Sequence, residues 1–126
     1  MSETPGRFDT AHWPTELKLK QAERRLEIVF DDGTSFTLPA EYLRVESPSA
    51  EVQGHTPSQK KLVAGCAAIG IRRLEPVGNY AVRIVFDDGH DTGLFVWSYL
   101  HLLSLQKDKK WAEYLAELKA KGLTRG

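Results

Sequence analysis

Two acidic pairs, Asp31-Asp32 and Asp87-Asp88, each followed by a glycine, are the first residues of this chain with the makeup of a metal or acid–base site. Adjacent carboxylates can hold a hard cation or share a proton. They recur, however, inside one repeated string: Ile28 to Gly33 and Ile84 to Gly89 both read IVFDDG, at a spacing of 56 residues. Glycine supplies the positive φ of a hairpin turn matched to strand twist, and aspartate tolerates the neighbouring turn angles. Turn formation therefore accounts for both acidic pairs, and they are read as scaffold.

The places where the copies differ carry more chemical information. His90 and Asp91 follow the second turn where Thr34 and Ser35 follow the first. Neighbouring strand residues face opposite sides, so His90 and Asp91 do not easily ligate one ion together. His55, after Gly54, is the other candidate ligand or proton carrier, while His12 and His101 are read as exposed or hydrogen-bonded histidines. Cys66 lies in a small-residue stretch, AGCAA, with no base beside it in sequence, and is read as a buried or incidental thiol. There is no P-loop, G-x-G-x-x-G turn, H-E-x-x-H helix or C-x-x-C pair, which argues against common nucleotide-dependent and zinc-hydrolase chemistry.

These residues must be positioned by short strands. Leu17 and Leu19, then Leu26, Ile28 and Phe30, alternate as strand faces joined by Gln21 to Arg24; Thr34, Phe36 and Leu38 form the return strand. Pro39 suits the first turn of a helix, so Pro39 to Arg44 is expected to be one helical turn. Glu46 to Gly65 reads as a long loop with a helical turn around Gln59 to Ala64. The second copy follows. Ile69 and Ile71 open its first strand, Glu75 to Asn79 turn, Tyr80, Val82, Ile84 and Phe86 make the next, His90 to Gly93 return, and Phe95 to Leu105 are helical. A last amphipathic helix has Asp108 as N-cap, Trp111, Tyr114, Leu115 and Leu118 as its apolar stripe, and Gly122 as its stop. The fold class is α+β: two repeated antiparallel three-stranded units, each followed by helical structure, plus a C-terminal helix. Residues 1–14 are expected to be a flexible arm, with 15–122 a single domain.

Composition narrows the class. Lys plus Arg and Asp plus Glu each number 17, so no net positive field gathers phosphates and no nucleic-acid partner is expected. No apolar run approaches the roughly 20 residues of a bilayer span, and MSETPGR has no apolar signal core, so no membrane association and a cytoplasmic location are expected. A single cysteine excludes an internal disulfide and cannot alone hold an iron–sulfur cluster.

At LPAEYLRVESPSAEVQGH, taken with FDDGHDTGLFVWSYL, the chain resembles the domain of unknown function 971 family, also described as the N-terminal domain of gamma-butyrobetaine hydroxylase-like proteins. The similarity covers roughly residues 15–105 and both hairpins. Such domains occur as stand-alone bacterial proteins, at the head of gamma-butyrobetaine and trimethyllysine dioxygenases, and fused to iron–sulfur carrier ATPases. In the dioxygenases the resemblance implies a structural zinc bound by three cysteines and a histidine, after an aromatic-Leu-Arg motif that survives here as Tyr42, Leu43 and Arg44. The cysteine positions match Ser47, Ser49 and Val52, and the histidine matches His90. Two hydroxyls and a valine do not replace three thiolates, so that zinc site is expected to be absent.

Oxygenase activity is not carried over either, because an iron(II) facial triad needs a catalytic barrel that these residues do not supply, and no enzyme is expected. The resemblance implies a non-enzymatic binding or adaptor domain linked to iron–sulfur protein maturation, its partner an iron–sulfur carrier ATPase or its clients. Its expected interaction surface is Arg44, Ser47, Ser49, His55, His90 and Asp91. No cofactor is expected; the alternative is a metal-binding domain in which His90 and His55, with Glu51 or Asp91, hold zinc or iron.

Overall fold

A computed structural model describes residues 12–54 and 60–126. Two antiparallel sheets of three strands each carry the α+β architecture. The first sheet is the meander β1 (Pro14–Lys20), β2 (Arg25–Phe30) and β3 (Ser35–Pro39), followed by helices α1 (Ala40–Val45) and α2 (Ala50–Gln53). The second repeats the plan with β4 (Ile71–Val77), β5 (Ala81–Phe86) and β6 (Leu94–Val96), followed by α3 (Trp97–Leu105) and α4 (Lys107–Ala120).

The hairpins form as their shared residues require. Gly33 and Gly89 take φ of 86° and 91°, and the amides of Phe30 and Phe86 bond the carbonyls of Thr34 and His90 across the turns. Period-two alternation then sends Leu26, Ile28 and Phe30 inward from β2, and Val82, Ile84 and Phe86 inward from β5. Both sets meet in one core, closed by Tyr42 and Leu43 of α1 and Leu100 and Leu103 of α3. Tyr42 donates its hydroxyl to the Leu103 carbonyl at 2.7 Å, and Tyr99 donates to the Glu46 carbonyl at 2.6 Å. Each half thus uses its tyrosine to satisfy a carbonyl near the end of the other half's helix, where intrahelical partners run out. Burial pushes both phenols above their ordinary range, with the Glu46 carboxylate adding to the effect.

Several local expectations change. The helical turn lies at Ala50–Gln53, whereas residues 60–64 are not helical; Gly54, at φ 68°, ends α2 where other side chains are disfavoured. The turn expected over Glu75 to Asn79 is displaced to residues 78–80, because Pro76 sits on the edge strand β4, where its missing N–H costs no ladder bond on the outer side. Residues 90–93 are not a strand, since their groups are drawn toward α2, and β6 is only Leu94–Val96, so α3 begins at Trp97 and not at Phe95. Gln106 takes the N-cap position of α4 and Asp108 falls in the first turn, where its charge still favours the helix dipole. The buried stripe of α4 is narrower than its spacing suggests, with Tyr114 and Leu118 covered by Val45 and the segment 62–64 while Leu115 stays exposed. Burial pushes the Tyr114 phenol up to about 12, and its hydroxyl donates to the Val63 carbonyl at 2.6 Å.

Candidate functional site

The repeat is broken where α1 and α2 meet the second hairpin. Arg44, in the last turn of α1, donates from Nε to Asp88 Oδ2 at 2.9 Å. The other oxygen of Asp88 accepts the backbone N–H of His90 at 3.0 Å, so one carboxylate shapes the turn and fixes the guanidinium. Burial alone would raise the Asp88 carboxyl, but the His90 amide and Arg44 outweigh it and hold the group below its ordinary value.

The His90 side chain is only 6% exposed. Its Nε2 lies 2.9 Å from Ser47 Oγ and 3.3 Å from Ser49 Oγ, while Nδ1 lies 3.3 Å from Glu51 Oε1. A carboxylate accepts only, so the partners assign the proton of the neutral ring to Nδ1 and leave Nε2 to accept from the hydroxyls. Burial lowers the His90 pKa and the Arg44 charge lowers it further, against the opposing pull of Glu51, Asp88 and Asp91. The segment carrying the serines is braced in turn: Gln53 Nε2 donates to the Ser47 carbonyl at 2.8 Å, and Thr92 Oγ1 donates to Glu51 Oε1 at 2.9 Å. A pocket of about 320 Å³ opens beside this cluster, lined by Arg44, Glu51, Val52, Lys61, Val63 and His90. Arg44 Nη1 is buried with no hydrogen-bond partner among the described residues.

Of the residues singled out from sequence, Arg44, Ser47, Ser49 and His90 are thus brought together, and Asp91 stands exposed beside them. His55 lies outside the described residues. Ser47, Ser49 and Val52 converge with His90 at the locus that the resemblance assigns to zinc, yet the two hydroxyls are occupied by the ring nitrogen and Val52 offers only methyls. These residues do not fit that ion. Cys66 belongs to the core; burial raises its thiol pKa, and its Sγ is 3.7 Å from the Ala64 carbonyl oxygen. It has the surroundings of an inert thiol.

Sequence reading missed a second convergence. His12 and His101 stack with ring centroids 4.2 Å apart, beside Asp31 and Asp32. The signal was present in the repeat: His101 follows Tyr99-Leu100 as Arg44 follows Tyr42-Leu43, and Asp32 occupies the turn position of Asp88.

The sequence profile described as "Gamma-butyrobetaine hydroxylase-like, N-terminal" matches residues 17–101. Two proteins solved by NMR in solution are 49% and 47% identical to this chain, with TM-scores of 0.80 and 0.79; the matches cover 98% and 90% of this chain and 91% and 90% of those chains. A crystal structure from Acidithiobacillus ferrooxidans, of a protein with unknown function belonging to the domain of unknown function 971 family, is 36% identical over 72% of this chain and 91% of its own, with a TM-score of 0.61. A comparison with curated proteins gives no match. Fold, repeat and profile agree, and the chain belongs to the gamma-butyrobetaine hydroxylase-like N-terminal domain family.

Proposed function

We propose that this chain is a non-enzymatic protein-binding domain serving iron–sulfur protein maturation, and that it docks an iron–sulfur carrier ATPase or a client on the Arg44–His90 face. The observation that carries the reading is the pocket beside His90. Its Arg44 is held by Asp88 while Nη1 remains buried without a hydrogen-bond partner among the described residues, next to the cation of Lys61 and the apolar side chains of Val52 and Val63. Such a surface suits a partner segment that offers a carboxylate to the exposed Lys61 cation beside an apolar side chain for Val52 and Val63.

Catalysis finds little support in the same groups. Ser47, His90 and Glu51 are linked as hydroxyl, neutral imidazole and carboxylate, the order of a nucleophile with its base, but Ser47 is fully buried and Ser49 nearly so, which leaves neither hydroxyl open to a substrate. The resemblance adds the partner class, because related domains are fused to iron–sulfur carrier ATPases. No helix among the described residues is long and apolar enough to cross a membrane.

Affinity capture tests the reading. The chain, immobilised through a biotin at its C-terminus so that its lysines stay free, and then exposed to extract, is expected to recover an iron–sulfur carrier ATPase or a cluster-bearing client. Lys61→Glu, at an exposed position, is expected to lose that partner. Repeated capture without either protein class would overturn the proposal.

A further inference from the structure

The two halves answer each other residue by residue, and the first half's turn has acquired something that the second lacks. Where Arg44 donates to Asp88, an imidazole, His101, faces Asp32. His12 supplies a second imidazole, and one ligand atom from each of His12, Asp32 and His101 lies within 4.8 Å of the others. In the second half Ile69, a core residue, stands where His12 stands in the first: the residue after it bonds the first turn aspartate in both, Trp13 with Asp31 and Gly70 with Asp87.

We propose that His12, Asp32 and His101 form a binding site for a divalent transition-metal ion of the zinc or iron(II) class, with water completing its coordination. Two imidazoles with a carboxylate are the donor set that such borderline ions favour over magnesium or calcium. The spacing also fits. His12 Nδ1 is 3.5 Å from Asp32 Oδ2, close to the edge of about 3.3–3.4 Å of a tetrahedron with metal–ligand bonds of about 2.0–2.1 Å, and the His101 donor lies within 4.8 Å of both.

The ligands are oriented before any ion arrives. Asp32 Oδ1 accepts the Thr34 N–H at 3.0 Å and the Thr34 hydroxyl at 2.6 Å, which leaves Oδ2 toward His12. Asp31 Oδ1 accepts the Trp13 N–H at 3.3 Å, tying the residue after His12 to the turn. Phe30 packs edge-on against the His101 ring at 4.9 Å. Such supporting contacts fix ligand direction and raise affinity. The His12 and Asp32 side chains are 30% and 37% exposed, so a hydrated ion has a path in. Bound there, the ion would tie the entry of β1 to the first turn and to α3.

The test is titration of the untagged full chain with zinc and, for its visible d–d bands, with cobalt(II). One saturable equivalent is expected, with the imidazole resonances of His12 and His101 shifting while those of His90 hold. Asp32→Asn keeps the oxygen that Thr34 needs and removes the charge, so it is expected to fold and to weaken binding about tenfold or more. His101→Gln should do the same, and His90→Gln should bind as the parent does. Absence of saturable binding, binding that survives both Asp32→Asn and His101→Gln, or binding lost with His90→Gln would overturn the proposal.

Discussion

Arg44 and His101 occupy the same position in the two halves of the molecule, and each faces the second aspartate of the other half's hairpin turn: Arg44 meets Asp88 at 2.9 Å, and His101 is grouped with Asp32. The hydroxyls of Tyr42 and Tyr99 cross in the same manner. Each half closes its own turn but meets the other half's turn aspartate and helix end, so the repeat works as an interlocked pair. This exchange also sets where chemistry can arise, because a change in one helix alters the environment of the opposite turn.

Gly93 is where this interlock is tightest. A Cβ there would collide with Ser47 Oγ and press on Phe95 and Pro48. Gly93→Ala is therefore expected to cost about 1–3 kcal/mol in urea unfolding and to shift the His90 ring resonances, because the serine that must move is the shorter of its two hydroxyl contacts.

If the zinc locus persists as geometry without its ligands, restoring the thiolates should restore binding. Ser47→Cys, Ser49→Cys and Val52→Cys combined, in a His101→Gln background that silences the other site, should bind one zinc and gain thermal stability on adding it. Failure to bind zinc in a folded variant would show that the serines and Val52 do not converge on His90 as described.

Acid should weaken the fold through His90 and Asp88. The His90 ring, facing Glu51, Asp88, Asp91 and Arg44, has a folded pKa below the ordinary 6.5, so the unfolded chain takes up the proton first. The stability this group contributes is full above about pH 6.5 and is lost as pH falls through the folded value. Asp88, also lowered, contributes stability above the ordinary carboxylate range that is lost as pH falls through its own folded value. Urea midpoints for the parent minus His90→Gln should thus decline below about pH 6.5 and stay flat above it. A difference independent of pH would contradict the assignment of a neutral, buried ring.

The repeat made the hairpins legible, because Asp-Asp-Gly between alternating apolar residues leaves few other conformations. The α+β class followed from it. Pro76 was misleading for a physical reason: β4 is an edge strand, bonded on one side only, where a missing donor is tolerated, so it reads as a breaker without being one. The brief helix at Ala50–Gln53 escaped because it is set by Gly54 and by Gln53 reaching back to the Ser47 carbonyl, not by an apolar period. The convergence of Ser47 and Ser49 on His90 was legible through resemblance alone. His12 with His101 was not, because the copies pair crosswise and residues 89 apart in sequence meet only once both sheets share a core.

We propose the Arg44–His90 face as the working surface, with a partner from iron–sulfur maturation. NMR titration of the isotope-labelled chain with a purified iron–sulfur carrier ATPase tests it most directly. Saturable shifts concentrated at Arg44, Val52, Lys61, Val63 and His90 are expected, abolished by Lys61→Glu. Saturable binding mapped to the α4 surface, or no shifts at all with carrier or client, would contradict it.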